Sequence, residues 1–260
     1  MSLTFRRVPS FLKIIFTGKI FDDIDEVKFK RKKFLNMYSV KNEKYYGKIM
    51  VSIIIPTRNE SHYVTNLLES LRLSNYDPVE IILADYSSTD GTLTLSSSYG
   101  VKNVFINQKG VGVASHQGVL NSSGKIIIRT DADAIFHPDL IGNIVKLFEK
   151  NSNVKLIHVG HYYYDSGFLI NLIATIYDKH WRAPWKTTGQ FIAFKREIYD
   201  EIIGFNEHKE FDEDFDFGRK VSKKYEILFK ASETIFVSSR RVKSTGIMKY
   251  LFGKRNRSRT

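Results

Sequence analysis

The chain has 260 residues, 42% of them hydrophobic and 26% charged, which is enough for one large globular domain with a full core and too apolar for a disordered chain. It has no cysteine, so disulfides, thiolate metal sites and cysteine nucleophiles are excluded. No apolar run reaches the roughly eighteen residues of a membrane-spanning helix, and the opening stretch is too short and interrupted for a signal peptide.

The net charge of +12 is unevenly placed. Residues 1–50 carry 12 Lys/Arg against 5 Asp/Glu, and residues 238–260 carry 8 with no acid, whereas 51–237 carry 20 against 23. A nucleic-acid reader puts its positive charge on the binding face of its folded domain; here the charge sits at the ends, and no nucleic-acid partner is expected. The chain therefore divides into a basic N-terminal extension (1–50), a central domain (51–237) and a basic, amphipathic C-terminal tail (238–260).

The extension joins an apolar cluster, Phe11 to Phe16, to a basic run from Lys28 to Lys33. At Val51 the texture changes. Val51 to Ile55 is a β-branched run, as in a buried parallel strand, and Pro56 is expected to end it. Residues 61–73 then place Val64, Leu67, Leu68 and Leu71 at helical spacing. Glu80–Ala84 reads as a second strand ending in Asp85, Val101–Ile106 as a third, and Lys125–Arg129 as a fourth running into Asp131-Ala-Asp133. Pro138 is expected to open a helix. Strands alternating with helices predict an α/β fold with a mostly parallel central sheet flanked by helices, in which ligands gather at the carboxyl ends of the strands.

Acidic residues stand at those ends. Asp131 and Asp133 suit a hard divalent cation shared with substrate phosphates, or else Asp133 makes a helix cap or a local turn. Asp85 is placed to accept hydrogen bonds from a base or ribose, while Ser88 to Thr92 reads as an ordinary turn and helix cap. Gly110-Val-Gly112-Val-Ala114-Ser115 has Ser115 where a dinucleotide fingerprint wants a third Gly or Ala, and follows the third strand rather than the first, which excludes that reading. Phe211 to Arg219 interleaves acids with phenylalanines, a setting that disfavours the charged carboxylate and makes it a better proton acceptor.

In this order and spacing, the chain from Val51 to about Gly246 resembles the inverting family 2 glycosyltransferases. The resemblance lies in Val51-Ser-Ile-Ile-Ile-Pro-Thr-Arg-Asn-Glu60, Asp85 with Ser88-Thr-Asp-Gly-Thr92, Asp131-Ala-Asp133, Gly189 to Arg196, Gly204-Phe-Asn-Glu207, Glu213-Asp-Phe-Asp216 and Ser239-Arg-Arg241. It implies the GT-A fold and transfer of a sugar from a UDP-, GDP- or dTDP-sugar to a glycan or lipid-linked acceptor. It also implies that Pro56, Thr57, Glu60 and Asp85 hold the nucleoside. Asp131 and Asp133 would face the ribose and a diphosphate-bound Mn²⁺ or Mg²⁺, both as metal residues, with Asp133 ahead of Asp131 as the direct ligand. Asp214, within the catalytic pair Glu213-Asp214, would be the general base. Arg240 or Arg241 would meet the leaving diphosphate, unless they serve a membrane surface.

The sequence also departs from the family pattern. Tyr86 stands where a second acid is frequent, Ser115-His116 where Arg-Asn is common, and no histidine follows His208 as a late metal ligand. His161 to Tyr164 and Trp181 to Trp185 belong either to the acceptor side or to core and subunit contacts. The apolar-basic ends suggest a cytoplasmic protein attached peripherally to the inner, anionic membrane face. Two other classes remain open: a nucleotidyltransferase of related fold and a non-catalytic nucleic-acid-binding protein using the basic ends.

Overall fold

The β-branched runs condense into one sheet. In the computed structural model, which describes residues 19–39, 44–180, 182–202, 204–208 and 212–246, it has eight strands. They are β1 (Tyr45–Thr57), β2 (Tyr76–Asp85), β3 (Lys102–Phe105), β4 (Ile126–Arg129), β5 (Ala134–Ile135), β6 (Val154–Tyr163), β7 (Ile192–Lys195) and β8 (Glu226–Val237). Their order across the sheet is β3-β2-β1-β4-β7-β6-β8-β5. The helices are α1 (Lys19–Asn36), α2 (Val64–Arg72), α3 (Thr92–Ser97), α4 (Val111–Leu120), α5 (Leu140–Lys150), α6 (Phe168–His180), α7 (Glu213–Val221) and α8 (Arg240–Thr245).

The half read from sequence, β3-β2-β1-β4, is parallel throughout. The other half is mixed: β7 runs antiparallel to both β4 and β6, β6 and β8 are parallel, and β5 is antiparallel to β8. Alternation along β1 sends Ile53 and Ile55 to one face, against Val64, Leu67, Phe136, Ile141 and Ile144, and Ile54 to the other, against Ile82, Ile127, Phe194 and Phe217. Full burial of each such side chain contributes about 1.5–3 kcal/mol.

Three local expectations are corrected. Pro56 does not end β1, which continues through Thr57; a proline keeps an extended φ and removes only one ladder donor. The same strand begins at Tyr45, ahead of the change in composition. The helix expected to open on Pro138 starts at Leu140, after a turn closed by Leu140 N–H donating to the His137 carbonyl at 2.9 Å.

The described part of the basic N-terminal stretch packs onto the domain. On α1, Val27 joins Met37, Ile135, Tyr162 and Phe236 in one apolar cluster, and buried Asp23 lies 2.9 Å from Lys179 and 3.2 Å from His180 on α6. The Phe11–Phe16 cluster, Trp181, Phe211 and the tail from residue 247 lie outside the described residues. No described helix is long and apolar enough to cross a membrane.

On β6, His158 is buried with its ring 4.8 Å from that of Phe229. Burial, and then the nearby Arg182 charge, lower its pKa to about 3. A histidine in an unfolded chain titrates near 6.5. The fold therefore holds His158 neutral, and the stability this provides is complete above about pH 6.5 and lost as pH falls towards 3. Urea unfolding at pH 7 and pH 5 should show a smaller acid loss in His158→Leu than in the wild type; equal losses would contradict this assignment.

Candidate functional site

The carboxyl ends of the parallel strands share one rim. Thr57 and Asp85 close β1 and β2 as direct neighbours in register, and β4 ends at Arg129, opposite Ile54 of β1. Because β7 runs the other way, its start lies at this rim, which brings Gly189 and Gln190 beside the end of β4. The rim is completed by Ser238 to Arg241 after β8 and by the start of α7.

Asp85 is buried and accepts hydrogen bonds from the Ser88 amide (2.9 Å) and hydroxyl (2.5 Å), with the Thr57 hydroxyl at 3.4 Å. The loop after β1 is stitched to the turn after β2. Asn59, in the left-handed region at φ 56°, donates its amide to Ser88 Oγ (2.9 Å) and accepts from the Thr89 amide (2.8 Å). The Glu60 amide donates to Thr92 Oγ1 (2.8 Å) and the Ser61 amide to Asp90 (3.0 Å). Ser88 to Thr92 makes a turn, but the residue that caps α3 is Gly91, in the left-handed region and without a side-chain cap hydrogen bond, rather than Ser88, Thr89 or Asp90; the side chains of the turn instead fix the backbone from which Glu60 projects.

Two arginines join the scattered acids. Arg240 forms a fork to Glu60, both contacts 2.8 Å, while its Nε lies 2.7 Å from Asp133 and its guanidinium covers the Tyr63 ring at 4.5 Å. Arg129, 2% exposed, donates to Asp131 at 2.6 Å and to Glu213 at 2.7 Å, and also to the Gly189 carbonyl. Arg241 lies 3.8 Å from Asp131. Gly189 donates its own amide to one oxygen of Asp214; the other oxygen accepts from the Phe215 amide at 2.8 Å. The Thr187 hydroxyl donates to the Asp214 carbonyl at 2.5 Å.

The electrostatics sort these acids. Burial would weaken Asp131 as an acid, but the charges of Arg129 and Arg241 prevail and hold it below the usual carboxylate range. Asp133 is pushed up to about 6 by burial and by the Asp131 charge. Glu213 is pushed up to about 7 by burial, with Asp214 adding repulsion. Arg129 pulls it the other way, yet one guanidinium serves three neighbouring carboxylates and does not offset the burial.

Pro56, Thr57, Glu60, Asp85, Asp131, Asp133, Glu213, Asp214, Arg240 and Arg241 all lie on this rim or in the strands that form it. Of the aromatic stretch His161 to Tyr164, the first three side chains are buried away from it: His161 Nδ1 lies 2.7 Å from Asp178, and the Tyr163 backbone is held by the Asn171 amide group, while Tyr164 is half-buried and stacks on Phe34. Of the second aromatic segment, Trp185 lies edge-on to Phe215, ring centroids 5.0 Å apart, beside Asp214. At the departing pair, Ser115 Oγ is 3.4 Å from Arg129 Nε, and His116 contacts the Tyr199 hydroxyl (3.1 Å) and Glu207 (3.4 Å).

Sequence reasoning missed Arg129, although a charged residue closing an all-isoleucine strand signals a buried cation with partners. It also missed why position 189 is glycine. A Cβ there would run into the Arg129 guanidinium. Gly189→Ala should cost about 1–3 kcal/mol by overpacking and displace Arg129; thermal unfolding indistinguishable from wild type would refute the close approach.

The sequence profile of glycosyl transferase family 2 matches residues 52–205. The chain belongs to this family. The matched span includes Pro56, Thr57, Glu60, Asp85, Asp131 and Asp133 and stops before Glu213, Asp214, Arg240 and Arg241. An uncharacterized glycosyltransferase of Rickettsia prowazekii is 31% identical over 110 residues, covering 42% of this chain and 35% of that protein. The O-antigen chain rhamnosyltransferase RfbN of Salmonella typhimurium is 26% identical over 185 residues, 63% of this chain and 58% of that one. The chain thus spans about a third of the first relative's length and under two thirds of the second's.

Among solved structures, S. aureus TarS 1–349 superposes with a TM-score of 0.62 at 17% identity, covering 78% of this chain and 64% of that one. The mannosyltransferase PcManGT of Pyrobaculum calidifontis, solved with GDP-Man and Mn²⁺, gives 0.61 at 20% identity, covering 91% and 70%. TarS has also been solved with UDP-GlcNAc. These are likenesses of fold: the α/β GT-A arrangement expected from the sequence is the one observed, with the sheet half parallel and half mixed.

Proposed function

We propose that the chain transfers a sugar from a nucleotide-diphosphate sugar to an acceptor hydroxyl, with inversion at the anomeric carbon. The observation that carries this is the convergence of acids from the ends of β1 and β4 and from α7, cross-linked by Arg129 and Arg240, with Asp85 on the same rim at the end of β2. Family membership and neighbours solved with GDP-Man or UDP-GlcNAc support a nucleotide-sugar donor.

In this reading Thr57, Asp85 and the loop to Glu60 receive the nucleoside, with Pro56 setting the backbone before it. Asp214 accepts the proton of the attacking hydroxyl. The acceptor oxygen bonds to the anomeric carbon as the carbon–oxygen bond to the diphosphate breaks, and the diphosphate leaves with the electron pair. Two backbone amides, one on each oxygen, fix the Asp214 carboxylate. Arg240 and Arg241 stand beside the acids that face the departing charge.

Asp133 fits a divalent cation. Its buried carboxylate has a weakened acidity that a nearby positive charge relieves, and Arg240 supplies that charge in the free protein. Asp131, already satisfied by Arg129, stands behind it. Among the described residues no three His, Asp or Glu side chains converge as a metal cage, so diphosphate oxygens and water would fill the remaining positions. A bound Mn²⁺ or Mg²⁺ supplies a Lewis acid for the diphosphate charge. Asp133→Asn should lose the response of donor binding to Mn²⁺; an unchanged half-saturating Mn²⁺ concentration in donor thermal-shift titrations would remove Asp133 from the ligand set.

The function is tested by incubating the full chain with UDP-, GDP- and dTDP-sugars and Mn²⁺, with glycan and lipid-linked acceptors, and identifying the released product. Nucleoside diphosphate is expected. Pyrophosphate would instead mark a nucleotidyltransferase, and donor-independent nucleic-acid binding a non-catalytic protein.

A further inference from the structure

Four of the large exposed apolar side chains sit on one pair of packed helices. Phe29 and Leu35 on α1, and Phe168 and Leu169 on α6, are between 44% and 66% exposed. On α1 they share the outer face with exposed Lys28, Arg31 and Lys32, while the exposed acids of this helix, Asp22 and Asp25, are confined to its N-terminal part. The inner face is committed to the fold: Val27 and Phe34 pack with Tyr162, Tyr164, Phe236 and Leu172. Leu172, one turn beyond Phe168 and Leu169, packs in the same cluster as Phe34, so the end of α1 lies beside the start of α6.

The inner side of α1 connects to the cleft. Phe34 stacks on Tyr164 at 5.9 Å, and the next residue, Asp165, accepts the Ser239 amide at 2.7 Å, immediately before Arg240. An exposed face that alternates cations with aromatic and aliphatic tips has the chemistry of a helix lying in a lipid interface. A second copy of the same positive face would be repelled by it, and a nucleic-acid duplex offers nothing to Leu35 or Leu169.

We propose that the outer face of α1, with the start of α6, docks on an anionic lipid bilayer and holds the cleft at the lipid surface, where the acceptor is itself membrane-borne. The acceptor part rests on the transfer reaction proposed above; the docking part does not. Each Lys or Arg near an anionic surface adds about 1 kcal/mol of attraction, roughly fivefold in partitioning. The apolar tips add a contribution that salt does not screen.

The test is co-sedimentation of the full chain with vesicles of phosphatidylcholine and phosphatidylglycerol, and with phosphatidylcholine alone. Wild type should partition to the anionic vesicles and much less to the neutral ones. Combined Lys28→Glu, Arg31→Glu and Lys32→Glu should lower partitioning at least about tenfold. Combined Leu35→Ser and Leu169→Ser should remove the binding that persists in high salt. Both variants should retain wild-type thermal unfolding and nucleoside-diphosphate release without vesicles, so sedimentation is read independently of turnover. Wild type remaining in the supernatant, equal binding to neutral vesicles, or a charge-reversed variant that partitions like wild type would overturn the proposal.

Discussion

Asp214→Asn should release nucleoside diphosphate about 10²–10⁴-fold more slowly than wild type while binding donor with unchanged affinity, the loss expected of a positioned base. The carboxylate is held between the Gly189 and Phe215 amides, at the first turn of α7 and beside Trp185. Neighbouring Glu213 competes for the role, because a carboxyl pushed up to about 7 is a good proton acceptor near neutral pH. Its oxygen is committed to Arg129 instead, and it is the more deeply buried of the two. Single-turnover rates for Asp214→Asn and Glu213→Gln decide between them. A larger loss in Glu213→Gln, with near wild-type chemistry in Asp214→Asn, would reverse the assignment.

The largest expected effect on stability belongs to Arg129→Met. Removing one partner from a buried ion pair costs about 3–5 kcal/mol, because the other charge is left without compensation. Here Glu213 would be stranded, and Asp131 would keep only the more distant Arg241 charge. For a chain of this size such a loss lowers Tm by roughly 6–20 °C. Adding Glu213→Gln to Arg129→Met should recover part of it, since a neutral amide removes the stranded charge. A double variant no more stable than the single one would show that Arg129 acts through packing rather than charge.

The first half of the domain was legible because its signals are local. The β-branched runs of β1, β2 and β4 and the Val64-Leu67-Leu68-Leu71 spacing of α2 each specify an element within a dozen residues. Asp85 and Asp131 could be placed on a common rim for the same reason, since each follows a buried parallel strand. β6, β7 and β8 carry aromatic and polar residues without a clean period, and their directions are set by partners far along the chain. The links that complete the rim are equally remote: Arg129 meets Gly189 60 residues later and Glu213 84 residues later, and Arg240 reaches back 180 residues to Glu60. No local pattern encodes such pairs. His161 to Tyr164 stayed undivided for a related reason, since composition at a sugar-facing aromatic wall and in a sheet core is the same; packing on β6 buries His161, Tyr162 and Tyr163 and leaves Tyr164 half-buried.

The peptide units of Gly189 occupy an unusual position: the carbonyl holds Arg129 and the amide holds Asp214. A displacement that loosens one contact must strain the other, so substitutions at positions 129 and 214 should show coupling rather than independent effects. Under selection for a new donor or a new acceptor, the two halves of the reaction then share one mechanical joint. Variation that changes specificity has to enter through the surrounding loops, leaving this joint intact.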